Sequence, residues 1–177
     1  FAAVWEEWKA STNTIDYTDM IDFALRDVPH APCEPTHILV DEAQDLTPLE
    51  YSLAKKWGKA AGGLTLVGDP DQGLYAWRGS HPNIFLDPDV PDEHRRVLEQ
   101  SYRVPRTVQE FAMEWRKNLS APLPLEYRPR DANGEVDRCQ ATWRDPDAAL
   151  DIAERHLADG KTVMFAVSCG YFLKRLL

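Results

Sequence analysis

Two short apolar runs, Ile38-Leu39-Val40 and Leu64-Thr65-Leu66-Val67, each end abruptly in acid. The first gives way to Asp41-Glu42-Ala43-Gln44-Asp45, the second to Gly68-Asp69-Pro70-Asp71-Gln72. Apolar runs this short, bounded by turn-forming residues, read as buried strands. A helical stretch separates them, and a strand–helix–strand order pairs its strands in parallel. Ligands of open α/β sheets sit beyond the carboxyl ends of the strands. Both runs therefore set acidic groups where a ligand would lie. They commit the chain to an α/β architecture, a mainly parallel sheet flanked by helices.

The stretch between the runs opens with Thr47-Pro48-Leu49-Glu50. Thr47 suits the N-cap, Pro48 the first helical position, and Glu50 closes a capping box. The helix is expected to reach about Ala61 and stop at Gly62-Gly63. Upstream, residues 1–10 and about 17–28 read as helices, with Trp5, Trp8, Met20, Phe23 and Ala24 recurring at three-to-four spacing. Pro29, Pro32 and Pro35 then impose an extended connector. Residues 81–94, with Pro82, Pro88 and Pro91 and no periodicity, read as a loop and a domain boundary. Beyond it we expect a strand over Arg96–Glu99, a turn at Ser101–Arg103 and a helix from Pro105 to about Asn118. A connector through Pro122, Pro124 and Pro129 leads to a weak strand near 135–143. A helix from Asp145-Pro146 to Gly160 and a strand over Thr162–Val167 complete the pattern. The predicted division is 1–90 and 93–177.

The 177 residues are 44% hydrophobic, enough for a core, yet no run approaches the roughly 20 apolar residues of a membrane span. No secretory pattern opens the sequence. Three widely spaced cysteines, Cys33, Cys139 and Cys169, form no CxxC pair, which suits reduced thiols in the cytoplasm rather than a disulfide framework or zinc site. A net charge of −9 argues at first against a nucleic-acid partner. It is unevenly spread: residues 1–94 carry −11, residues 95–130 carry +4 and residues 131–177 carry −2. Phosphate binding responds to the local field rather than the total. A solvated helix face is the competing reading of the basic middle.

The two acidic segments have specific chemistry within reach. Asp41, closing its strand, is placed to hold Mg²⁺, which takes few protein ligands and keeps water and phosphate oxygens. Glu42 points elsewhere and could orient a water attacking a γ-phosphate. An acidic strand end that merely caps the next helix is the plainer alternative. In the second segment Gln72 can sense a γ-phosphate through its amide. Tyr75 and Trp77 follow in a glycine-flanked stretch that reads as a turn or short helix, with Arg78 beside them. Exposed aromatics next to an arginine form a stacking platform for single-stranded bases. The alternative is a pair of ordinary core aromatics.

Together these residues resemble the UvrD/Rep-type branch of superfamily 1 DNA helicases. VDEAQD (Val40–Asp45) resembles motif II, the family's Walker B element, and GDPDQGLYAWRGS (Gly68–Ser80) resembles motif III, usually GDxxQSIYxFRGA, with Gly73 in place of serine. LEQSYR (Leu98–Arg103) is similar to motif IV, usually LxxNYR, with Ser101 for asparagine. Ile15–Met20 is a weaker likeness to a DFxDL segment, and Val163–Val167 with Phe172–Leu177 to a strand–helix of the second motor domain. The resemblance implies two RecA-like motor domains using ATP and Mg²⁺. It implies that Asp41 holds the metal, that Glu42 is the catalytic base, and that Gln72 contacts the γ-phosphate. It further implies that Tyr102 stacks on adenine, that Arg103 is an arginine finger, and that Tyr75, Trp77 and Arg78 meet single-stranded DNA. Single strands and single-strand/duplex junctions are the implied partners, with 3′→5′ translocation.

A motor of this family also needs a phosphate loop, GxxxxGK[ST]. Gly160-Lys161-Thr162 is the nearest approach, but Arg155 stands where the first glycine belongs, and it leaves a helix rather than entering one. The chain accordingly reads as a central piece: the latter part of the first motor domain and the start of the second. Missing helicase segments would lie on either side, and the piece alone is expected not to turn over ATP. Two other readings stay open: a non-catalytic DNA-binding or scaffold protein, and the helicase part of a helicase–nuclease.

Overall fold

The computed structural model describes residues 1–81, 90–120, 122, 125–142 and 144–175. Helix α1 (Ala2–Thr12) ends where Asn13 turns left-handed, and α2 (Tyr17–Asp27) starts from a reciprocal capping box between Asp16 and Asp19. The two helices meet around one cation. Lys9 is only 6% exposed, and its Nζ lies 3.0 Å from Glu6, 3.1 Å from Asp16 and 2.8 Å from Asp19. Trp5 Nε1 donates to Asp16 at 2.9 Å, and Trp5 stacks on Trp8 with ring centroids 5.0 Å apart. Hydrogen bonds from Trp5 and Lys9 hold the Asp16 carboxyl far below the usual range; the bond from Lys9 also lowers Asp19, whose carboxylate in turn raises Lys9.

Strand β1 (Ile38–Val40) pairs in parallel with β2 (Leu64–Leu66), Ile38 opposite Leu64 and Val40 opposite Leu66. The crossover is α3 (Pro48–Ala61), which starts on the expected box: Glu50 N–H donates to Thr47 Oγ1, and Thr47 N–H to the Glu50 carboxylate. It stops at Gly62, φ 84°, a left-handed position that favours glycine. Helix α2 packs on α3, with Lys56 Nζ donating to the Leu25 carbonyl at 2.6 Å and Trp57 Nε1 to that of Val28 at 3.1 Å.

Beyond Val90 the chain is looser. Helix α4 (Arg106–Arg116) and α5 (Asp147–Ala158) stand close to their expected places. The three strands expected there do not form among the described residues. Arg96–Glu99 precedes only an isolated parallel bridge, Gln100 to Arg128, while residues 135–142 and Thr162–Val167 pair with nothing regular. A strand is stabilised by cross-strand neighbours rather than by its own sequence. Here the apolar side chains that would meet them face solvent, Leu98 at 81% and Met164 at 86% exposure. Among the described residues the mainly parallel sheet is thus two strands. The expected boundary loop lies in part outside the described residues.

The accessible surface is 14011 Å². A self-contained protein of 20.2 kDa would expose about 8,800 Å² by the usual surface scaling. Among the described residues the buried apolar side chains are only Ala43 and Ala153. These layers leave much apolar surface uncovered. No helix among the described residues is long and apolar enough to cross a membrane. The three cysteines are exposed and free.

Candidate functional site

Both acidic segments leave the carboxyl ends of paired strands, so the parallel register brings them side by side. The ladder continues past the strands: Val67 N–H donates to the Val40 carbonyl at 2.8 Å and Ala43 N–H to that of Val67 at 2.9 Å. Glu42 then turns left-handed, φ 52°, which throws its side chain off the strand line. Few non-glycine residues adopt this conformation without a local reason. Here Glu42 N–H donates to Asp41 Oδ1 at 2.9 Å, and Gln44 Nε2 donates to Glu42 Oε2 at 2.6 Å.

Gln44 is the residue that sequence reasoning misses. It is 2% exposed, and while its amide nitrogen holds Glu42, its Oε1 accepts from the Asp69 N–H of the other loop at 3.0 Å. One buried amide therefore fixes the two acidic loops against each other. Gly68 makes room for it: a Cβ there would stand 2.4 Å from Gln44 Oε1 and 2.9 Å from Ala43 N. The only signal in the sequence is an amide between two acids, and its reach across to Asp69 depends on strand register.

The second loop is stiffened from within. Asp69 caps a 3-10 turn over Pro70–Gln72, accepting from Asp71 N–H at 3.0 Å and from Gln72 Nε2 at 2.6 Å. Gln72 is thereby parked on Asp69 rather than extended. A further 3-10 turn, Ala76–Arg78, follows Tyr75 and closes on Gly79 at φ 94°. It sets the Tyr75 and Trp77 rings 6.4 Å apart and tilted by 56°, with Trp77 81% and Tyr75 41% exposed. Arg78 Nη2 donates to Glu50 Oε1 at 2.8 Å, so the capping residue of α3 also anchors this turn. Tyr102 and Arg103 lie on an exposed turn before α4, where Ser101 Oγ accepts from the N–H groups of Arg103 and Val104.

The donors suit a hard cation held sparingly. Asp41 is exposed at the strand end and offers carboxylate oxygen. No group of three or more His, Cys, Asp or Glu among the described residues is arranged to hold a metal.

Residues 5–90 match the family model for the UvrD/REP helicase N-terminal domain. The chain is 34% identical over 130 residues to the ATP-dependent DNA helicase PcrA of Staphylococcus aureus, covering 71% of this chain and 18% of that protein. It is 30% identical over 144 residues to PcrA of Leuconostoc citreum, covering 76% of this chain and 19% of that protein. It thus spans about a fifth of the length of these curated relatives. Over residues 5–90, and through the longer alignments, the chain is similar to UvrD-type DNA helicases.

Proposed function

We propose that this chain is the central part of a UvrD-type motor that couples ATP hydrolysis to movement along single-stranded DNA and to unwinding at junctions. The observation that carries the reading is the joining, through buried Gln44, of two acidic strand ends, one of which runs within a few residues into an exposed aromatic turn. Nucleotide chemistry and base stacking then share one loop. Mg²⁺-ATP, when bound, supplies the γ-phosphoryl group. Asp41 holds the metal by its carboxylate. Glu42, aimed off the strand by its left-handed backbone and steadied by Gln44, takes the proton from the attacking water. Gln72 leaves Asp69 to meet the γ-phosphate, so occupancy of that site pulls directly on the turn bearing Tyr75, Trp77 and Arg78.

On this reading Tyr102 covers the adenine and Arg103 approaches the γ-phosphate from the far part of the chain, its planar fork matched to phosphate oxygens. The first motor domain holds residues 1–90 and the second begins at 93, with 3′→5′ movement. The 177 residues contain no GxxxxGK[ST] loop, so turnover belongs to a longer protein that supplies one.

The test is DNA-stimulated phosphate release by such a protein. Glu42→Gln is expected to lower turnover about 10²- to 10⁴-fold, the usual worth of a positioned base, with ATP binding nearly unchanged. Arg103→Lys is expected not to rescue Arg103→Ala. Full turnover in Glu42→Gln would overturn Glu42 as the base, and no turnover in the unsubstituted longer protein would favour a DNA-binding scaffold.

A further inference from the structure

The loop bearing Gln72 is held from a second direction. Arg116, the last residue of α4, directs Nε to Asp71 Oδ2 at 2.5 Å, across 45 residues of sequence. Both side chains are largely covered, 17% and 15% exposed, unlike the solvent-facing pairs Arg26–Asp22 and Lys117–Glu114. Asp71 sits between Pro70 and Gln72, with its N–H on Asp69 Oδ1 and the Gln72 amide on the other oxygen of Asp69. Two carboxylates thus crowd one short turn, and Arg116 neutralises one of them. Its position at the carboxyl end of α4 favours a cation in any case.

We propose that Arg116 and Asp71 form a latch that ties the Gln72–Trp77 loop to α4, and so to the turn bearing Tyr102 and Arg103. Arg116 is a positioning residue that acts through Asp71. The proposal rests on the helicase reading for its functional consequence, but its structural half stands without nucleotide or DNA. A covered carboxylate that loses its oppositely charged partner is strongly disfavoured, whereas the intact pair is little screened by salt. Breaking the latch therefore loosens the stretch between Asp69, still held by Gln44, and Arg78, still held by Glu50, while leaving β1, β2 and α3 intact. A rigid platform becomes a mobile one.

The test is amide hydrogen exchange in the 177-residue chain, followed in the peptide covering residues 68–80, alongside its affinity for a labelled oligo(dT). Arg116→Gln is expected to speed exchange in that peptide about tenfold, with α3 protected as in wild type, local opening being the low-energy route. Oligonucleotide affinity should fall in parallel. The swap Asp71→Arg with Arg116→Asp should restore both, and Arg116→Lys should fall between. If Arg116→Gln unfolds the chain, Asp71→Asn is read in its place. Unchanged exchange, or a swap that merely adds the two single effects, overturns the latch. Lost affinity with unchanged exchange would mean that Arg116 meets DNA itself and also overturns it. Absence of oligonucleotide binding in the wild type would count against the helicase reading and leave the exchange result to decide the latch.

Discussion

Residues 1–81 and 90–175 carry similar kinds of sequence, apolar runs alternating with amphipathic stretches, yet among the described residues only those of the first part assemble a sheet. In the first part, β1 finds β2 across a capped crossover helix, and the ladder extends to Ala43 and Val67. In the second, α4 and α5 form while the apolar runs before, between and after them meet no regular partner among the described residues. A helix satisfies its backbone within itself, and a strand cannot. The difference shows where covering surface is wanted: the second part presents strand-like sequence that its own described residues leave bare.

The comparison can be broken most forcefully at Lys9. Removing the cation that Glu6, Asp16 and Asp19 share leaves those carboxylates crowded and uncompensated, so Lys9→Met should give the largest fall in melting temperature of any single substitution considered. The same cluster sets the pH response of this part. Asp16 and Asp19 lie below the usual carboxylate range in the folded chain, so their contribution is complete above about pH 4 and is lost as pH falls through their depressed values. Lys9 is raised, so its contribution persists through the neutral range and goes only in strong alkali. A melting temperature flat from about pH 5 to 9 and falling below 4 is expected by differential scanning fluorimetry. In Lys9→Met the acid fall should shrink.

Next comes Gly68. An added side chain would strike Gln44 Oε1 and Ala43 N, so Gly68→Ala should cost about 1–3 kcal/mol by urea unfolding, the scale of overpacking. Gly170, in the second part, has nothing within 4 Å of where a Cβ would stand, and Gly170→Ala should stay within about 0.5 kcal/mol. Equal costs at the two glycines would erase the distinction between the regions. Between these lies Thr47→Ala, which removes half a capping box and should cost about 1 kcal/mol.

What is legible in the sequence follows the same division. Helix α3 can be read to the residue because Thr47, Pro48, Glu50 and Gly62 act locally. The two strands can be read because each ends in acid at a fixed place. Lys9 is illegible, since Asp16 and Asp19 join its helical neighbour Glu6 only when α1 turns back on α2 at Asn13. Gln44 is illegible for the same kind of reason: its link to Asp69 exists only in the parallel register. The strands expected at 96–99, 135–143 and 162–167 show the opposite error, because apolar alternation describes what a segment can pair with and not whether a partner is present.

The claim that one loop joins nucleotide chemistry to base stacking is tested most directly at Trp77. The measurement is fluorescence anisotropy of a labelled oligo(dT) titrated with the 177-residue chain and with its Trp77→Ala variant, folding being checked by circular dichroism. Loss of one stacking ring should weaken binding by about 1–3 kcal/mol, or roughly 5- to 150-fold, with little dependence on base sequence. Because Trp77 is exposed and packs no core, its removal should leave the fold intact. Unchanged affinity in a folded Trp77→Ala chain would contradict the account.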